Sequence, residues 1–180
     1  MILKTGNVMD QIEIADLVLV TANSEVVKYN HLVMGAGAAK ALADRFPKAS
    51  TKFGNYVYNF WYYKVDYLII TLDIEDLLDY SGPKYVPKKY EVGIFQTKRS
   101  WKNPSSIELI KKSTLRLSSL AKSMYKDKTI ALNFPGIGCG GLRREEVIPI
   151  IETLPDNVEI YELPKRKCVN VTLQGTFKGV

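Results

Sequence analysis

The residues in this sequence best placed to do chemistry are two glycine-rich segments, Met34-Gly-Ala-Gly-Ala-Ala39 and Pro135-Gly-Ile-Gly-Cys-Gly-Gly141. A glycine turn between a strand and a helix exposes backbone N–H groups that no side chain covers, beside the positive end of the helix dipole. Two such turns facing each other across a cleft can hold a diphosphate between them. Glycine also serves simply to permit a tight turn. Two loops that both follow strands favour the anion site over that reading. The first loop reads GxG and not GxGxxG, and GxxxxGK[ST] is absent, so neither a standard dinucleotide fold nor a P-loop nucleotidase is supported.

Other reactive side chains are few. His31 is the one histidine, in the segment leading to the first glycines, and can serve as a general acid or base toward a terminal phosphate or stand as a surface loop residue. Cys139 and Cys168 are too few for a disulfide framework and lie outside any CxxC or Cys/His pattern, which argues against a structural zinc site. Trp101 can stack on a ribose or base, or pack against the helix after Asn103. The net charge of +6 suits an anionic partner, either a phosphorylated small molecule or a nucleic acid.

The elements that must position these groups follow from apolar patterning. At 180 residues, 46% apolar and 24% charged, the chain suits one soluble domain. It contains neither a run of about 20 apolar residues nor a signal-peptide pattern at Met1–Asp10, so a cytoplasmic protein away from membranes is expected. Leu17–Val20 reads as a strand buried on both faces, ending in Thr-Ala-Asn-Ser. Ala38–Phe46 reads as a helix that Pro47 stops. Tyr56–Tyr63 and Tyr67–Leu72, rich in aromatic and β-branched residues, predict two strands joined by the turn Lys64–Asp66. The alternating aromatics of Asn55–Tyr67 are then core and cross-strand packing. Asp73–Tyr90 reads as an excursion loop with a helical turn at Ile74–Leu78, and Val92–Thr97 as another strand.

After Asn103-Pro-Ser-Ser the spacing of Ile107, Ile110, Leu117, Leu120, Ala121 and Met124 predicts a serine-capped amphipathic helix running to about Tyr125. Thr129–Phe134 is a buried strand feeding the second glycine loop. A helix from Arg144 to about Leu154 and a strand at Val158–Leu163 follow. Strands alternating with helices predict a mostly parallel sheet covered on both sides, whose ligands bind beyond the carboxyl ends of the strands.

The order of a strand ending in Thr21-Ala-Asn-Ser24, then Met34-Gly-Ala-Gly-Ala-Ala39 with a helix closing in Phe46-Pro47, then Phe95-Gln-Thr-Lys-Arg-Ser-Trp101, then Pro135-Gly-Ile-Gly-Cys-Gly-Gly-Leu142 resembles the macrodomain family. Within it the likeness is greatest to the ADP-ribosyl-glycohydrolase and ADP-ribose-1''-phosphate phosphatase branch, and it runs from about Gly6 to Leu163. The resemblance implies an α/β chain: a three-layer α/β/α macrodomain-like fold with a mixed, mostly parallel central sheet over residues 1–164. A basic tail, 165–180, follows, and its pattern at Val169–Leu173 suits an extra edge strand.

By the same resemblance, Gly35, Ala36, Gly37 and Ala38 form the first phosphate loop, and Gly136, Ile137, Gly138, Cys139, Gly140 and Gly141 the second. Cys139 is a small loop filler there, because nothing supplies it with a base. Asn7 stands where the family's aspartate accepts from the adenine amino group, and is also read as a turn residue. Asn23 stands near the distal ribose, and is also read as an Asx-turn closing its strand. In the glycohydrolase branch a lysine at the position of Lys98 attacks the anomeric carbon, assisted by an aspartate past the second loop. This chain has Arg143 and Arg144 there, and Glu145 and Glu146 read as carboxylates at a helix start.

The expected function is therefore binding of ADP-ribose or a related nucleotide. Metal-independent hydrolysis of an ADP-ribosyl or ADP-ribose-1''-phosphate substrate is the catalytic version, with Asn23, Lys98 and His31 as its candidates. No cofactor or metal is implied. The alternatives are a non-catalytic reader of ADP-ribose or of ADP-ribosylated protein or nucleic acid and, less favoured, a nucleic-acid-binding protein. Short length and dense use of Lys and Tyr suit a phage or bacterial source.

Overall fold

A computed structural model describes residues 1–78 and 90–164. Cys168, the basic stretch Lys165–Lys167, the strand expected at Val169–Leu173 and most of the excursion loop lie outside the described residues.

The central sheet has six strands: β1 (Ile2–Thr5), β2 (Leu17–Ala22), β5 (Ile69–Asp73), β6 (Glu91–Gln96), β7 (Ile130–Asn133) and β8 (Val158–Glu162). Their spatial order is β1-β8-β7-β2-β6-β5, with every neighbouring pair parallel except the antiparallel edge pair β5–β6. A two-stranded hairpin, β3 (Val26–Val27) with β4 (His31–Leu32), stands apart from this sheet. The helices are α1 (Gly37–Arg45), α2 (Ala49–Tyr62), α3 (Ile107–Lys122) and α4 (Arg144–Ile151).

Side-chain alternation along β2 sorts the core into two layers. Val18 and Val20 join Leu42, Phe53, Val57, Val92 and Ile94 beneath α1 and α2. Leu17 and Leu19 join Ile110, Leu117, Ile130, Leu132, Val147 and Ile160 beneath α3 and α4. A strand apolar at four consecutive positions is what a sheet covered on both faces requires, and the result is the expected three-layer α/β/α arrangement with a mixed, mostly parallel sheet.

The segment expected as a strand at Tyr56–Tyr63 is instead the second half of helix α2. Ala49, Phe53 and Val57 recur four residues apart and are fully buried, so this apolar stripe selects the helical period. The aromatics between them gave a strand signal through propensity alone, and packing overrides propensity. The expected core role of these rings fails with it: Tyr56, Tyr58, Phe60, Trp61, Tyr62 and Tyr63 are exposed, and Tyr67 alone of the Asn55–Tyr67 aromatics is buried. Lys64, with φ 55°, ends α2 and does not turn between two strands. Helix α3 likewise stops at Lys122, which leaves Met124 exposed, while Tyr125 folds back into the core. The helical turn expected at Ile74–Leu78 is present as a 3-10 turn at Ile74–Asp76. Among the described residues no helix is long and apolar enough to cross a membrane.

The hairpin rests on α2 at Gly54. A Cβ there would lie 1.7 Å from the Asn30 carbonyl oxygen and 2.7 Å from the Leu32 nitrogen. Alanine for glycine inside a helix ordinarily stabilises by about 0.5–1 kcal/mol. Here Gly54→Ala is expected to destabilise by about 3 kcal/mol through overpacking against rigid backbone. The check is a urea unfolding curve, whose midpoint should fall while its slope stays unchanged.

Candidate functional site

A cavity of about 860 Å³ runs across the carboxyl ends of the parallel strands. Sheet order fixes the order of its parts. Gly6 and Asn7 after β1, and Glu162 and Leu163 at the end of β8, form one end; the second glycine loop follows β7; Asn23 follows β2; Thr97, Lys98 and Trp101 follow β6 at the other end. The first glycine loop faces the second from the start of α1.

The cleft exists because β2 and β7 part. Their pairing runs only from Leu17↔Ile130 to Leu19↔Leu132, while β2 stays paired with β6 as far as Ala22↔Gln96. Beyond Leu132 the side chain of Asn133 takes over the ladder. Its Oδ1 accepts from the Thr21 amide at 2.8 Å, and its Nδ2 donates to Thr21 Oγ1 at 2.9 Å. This is also where the chain order reverses, since the β6–α3–β7 crossover passes over β2, and such switch points are where open α/β sheets bind ligands. Asn133, Thr21 and Ser105 line the cleft and were not singled out from the sequence. Only the strand register reveals them, and a single sequence does not carry it.

The first loop presents bare backbone. Helix α1 has Ala36 at its N-cap with no side-chain cap bond and no acidic residue in its first turn. Its leading N–H groups therefore face the cleft with the positive end of the dipole uncompensated. Gly35 is the informative glycine. It avoids the left-handed region, and a Cβ built on it would meet nothing within 4 Å, so neither conformation nor packing explains the missing side chain. Gly37 differs, with φ +58°.

The second loop is packed tightly on its far side, where a Cβ at Gly140 would lie 2.6 Å from Ser105 Oγ. Its internal turn bonds are donated by Gly140, Gly141 and Leu142, so the N–H groups of Ile137, Gly138 and Cys139 are not used within the turn. Ser105 Oγ is buried on the cleft wall with no partner. Gly136 to Gly140 line the cavity, whereas Gly141 closes the turn behind it at φ +76°.

The candidate side chains separate clearly. Asn23 makes the Asx-turn: its Oδ1 accepts from the Glu25 amide and its Nδ2 donates to the Val33 carbonyl, both at 2.8 Å. It thereby ties the end of β2 to the residue before Met34 and sets where the first loop begins. Tyr67 reinforces it, donating from its buried hydroxyl to the Asn23 carbonyl at 3.0 Å, and burial holds that phenol well above its ordinary pKa, so it keeps its proton.

Lys98 reaches over the cleft and donates to the carbonyls of Asn103 and Cys139, each at 3.1 Å. Asn7 caps a 3-10 turn through its Oδ1, which accepts from the Met9 amide at 3.1 Å. That bond is accepted by the amide oxygen, and the NH₂ group of Asn7 can only donate. Trp101 lines the cleft and is 52% exposed.

His31 does not reach the cleft. It sits on β4 with its ring beside Ser50 and Thr51 of α2, 3.3 Å from Ser50 Oγ, because the hairpin turns it away from the glycine loop that follows it in sequence. Glu146 is engaged with the Arg143 amide at 2.8 Å in a capping box, which holds its carboxyl below the usual range. Apart from Lys98, the charged side chain lining the cleft among the described residues is Glu162, at the opposite end and paired with Arg144 at 3.0 Å.

Replacing Asn133 with alanine strands the Thr21 amide at the seam between β2 and β7. A cost of about 2 kcal/mol is expected, within the range for a partly buried donor losing its partner. Thermal unfolding together with amide exchange at Thr21 checks it: both should change, and an unaltered exchange rate would sink the assignment.

No family model matches the sequence, and no curated protein matches it. Solved structures do. The macrodomain of Thermus aquaticus DarG aligns over 90% of this chain and 97% of its own, with TM-score 0.61 and 22% identity. Thermosipho africanus DarTG, in complex with ADP-ribose, aligns over 93% of this chain with TM-score 0.65 and 21% identity, and this chain spans 43% of its length. The macrodomain of Mycobacterium tuberculosis DarG aligns over 82% of this chain and 88% of its own, with TM-score 0.56 and 21% identity. The chain has the macrodomain fold.

Proposed function

We propose that the cleft binds ADP-ribose, free or attached to a protein or nucleic acid, with the diphosphate between the two glycine loops. The observation that carries this reading is Gly35, whose missing side chain serves neither backbone nor packing and only leaves the loop bare. The uncapped start of α1 beside it, Gly37 and Ala38 supplies amide donors and a dipole of the right sign. The unspent amides of Ile137, Gly138 and Cys139 face them from the second loop. The complex of the Thermosipho africanus structure with ADP-ribose is consistent with this ligand.

The row of strand ends orients the molecule. Val8, Phe134, Tyr161 and Leu163 give the β1–β8 end an apolar, aromatic lining suited to the base, with Asn7 at its edge. The second ribose then lies toward Asn23, Lys98 and Trp101. Binding fits the site better than turnover. Lys98 is tethered to two carbonyls, and the end of the cleft where the anomeric carbon would lie offers no carboxylate among the described residues to assist it. A cytoplasmic reader or sequestering protein follows, with hydrolysis the second reading that a turnover assay separates from it.

Calorimetric titration with ADP-ribose is expected to show saturable binding. Gly35→Glu should abolish it by placing a carboxylate against the phosphates while leaving the melting temperature within a degree or two, since the position is open. Absence of heat with the unaltered protein would overturn ADP-ribose as the ligand.

A second expectation concerns the base. Aspartate at position 7 can cap Met9 with one oxygen and accept from an adenine amino group with the other. Asn7→Asp should therefore tighten ADP-ribose by roughly tenfold, the worth of one charge-assisted hydrogen bond of about 1.4 kcal/mol. An unchanged or weaker affinity would place the base elsewhere.

A further inference from the structure

Helix α2 turns an unusually aromatic side to solvent. Tyr58 lies 6.3 Å from Trp61 and 6.2 Å from Tyr62 between ring centroids, and Tyr62 lies 5.1 Å from Tyr63. Tyr62 and Tyr63 are 63% and 72% exposed. The β3–β4 hairpin extends the surface: Asn30 donates to Asn55 at 3.2 Å, which holds the hairpin tip beside the middle of α2. The neighbouring Tyr29 is 76% exposed there.

The charged residues of this segment are of one sign, although Arg45 pairs with Glu13 at 3.1 Å. From Arg45 to Val65 the sequence holds Arg45, Lys48, Lys52 and Lys64 and neither Asp nor Glu, and the hairpin adds Lys28. Among the described residues, no carboxylate pairs with Lys28, Lys52 or Lys64. Asp66, the next acid along the chain, is engaged by Arg99 through two bonds of 2.9 and 3.0 Å. That pair also ties the segment after α2 to the Lys98–Trp101 segment.

Exposed rings serve several partners, and the chemistry here selects among them. Tyrosine is at home at protein interfaces and lipid headgroups as well, so the spacing of the rings and the charge beside them make the choice. Rings spaced a few ångströms apart with unpaired cations beside them match successive stacked bases and their phosphates.

We infer that the exposed side of α2 and the tip of the β3–β4 hairpin form a stacking platform for single-stranded nucleic acid. Tyr29, Tyr58 and Tyr62 take bases, and Lys28, Lys52 and Lys64 take phosphates. The platform stands apart from the glycine loops and does not depend on the ligand proposed for them.

Fluorescence anisotropy with labelled oligo(dT) and oligo(U) of about 15 nucleotides, titrated with the full chain, tests this. Saturable binding is expected, with log K falling against log salt at a slope of about −2 for three phosphate contacts. Tyr58→Ala with Tyr62→Ala should raise Kd at least tenfold and keep the slope. Lys28→Glu with Lys64→Glu should weaken binding and flatten the slope to about −0.7. ADP-ribose titrations and thermal melts of both variants should match the parent, which separates loss of the platform from loss of the fold. The inference is overturned if neither oligonucleotide binds at about 50 mM salt, or if both variants bind as the parent does. It is equally overturned if the tyrosines prove to drive self-association in light scattering, or adhesion to anionic vesicles, without oligonucleotide binding.

Discussion

Between Leu19 and Thr21, β2 loses its partner on one side and keeps it on the other, and the amide of Asn133 spans the gap. A parallel sheet that stayed paired to its end would present a closed rim. One that parted without a bridge would leave the Thr21 N–H unsatisfied close to the core, at a cost comparable to a sizeable part of a domain's stability. The side-chain substitute lets the strands diverge with their polar groups still satisfied. The second glycine loop begins where β7 ends, and the first is tied to the end of β2 through Asn23, so both depend on where these strands part.

The loops proposed to hold the diphosphate are not themselves highly charged. Their donors are neutral backbone amides held by turns, with the start of α1 contributing its dipole. The side chains nearest them are committed to scaffolding: Asn23 to Val33 and Glu25, Tyr67 to Asn23. What looks in the sequence like a list of ligand contacts is in part a set of braces that hold bare backbone in position.

How much of this could be read from the sequence depends on whether the signal was local. The buried run Leu17–Val20 and the serine cap before α3 (Ser106 in the fold) announce themselves within a few residues and stand where expected; both glycine loops are as local, and they line the cleft. Strand β1 has no such contrast, since all four of its residues are exposed at a sheet edge. Helix α2 is masked in the sequence because its rings supply β propensity while its apolar stripe, Ala49, Phe53 and Val57, is thin. In the site, Asn133 and Ser105 matter through neighbours far away in sequence, which no spacing rule exposes. His31 shows the converse, being close to the first loop along the chain and turned away from it in space.

Lys98 carries a consequence for the energetics of recognition. A free lysine loses up to about 2 kcal/mol of rotamer freedom when a ligand immobilises it. Here two of the three ammonium donors are already held by the Asn103 and Cys139 carbonyls, so that entropy is surrendered during folding. The third donor remains to meet whatever enters. The same two bonds tie the loop before α3 to the second glycine loop, so this wall of the cleft is preorganised, with its long cation already held in place.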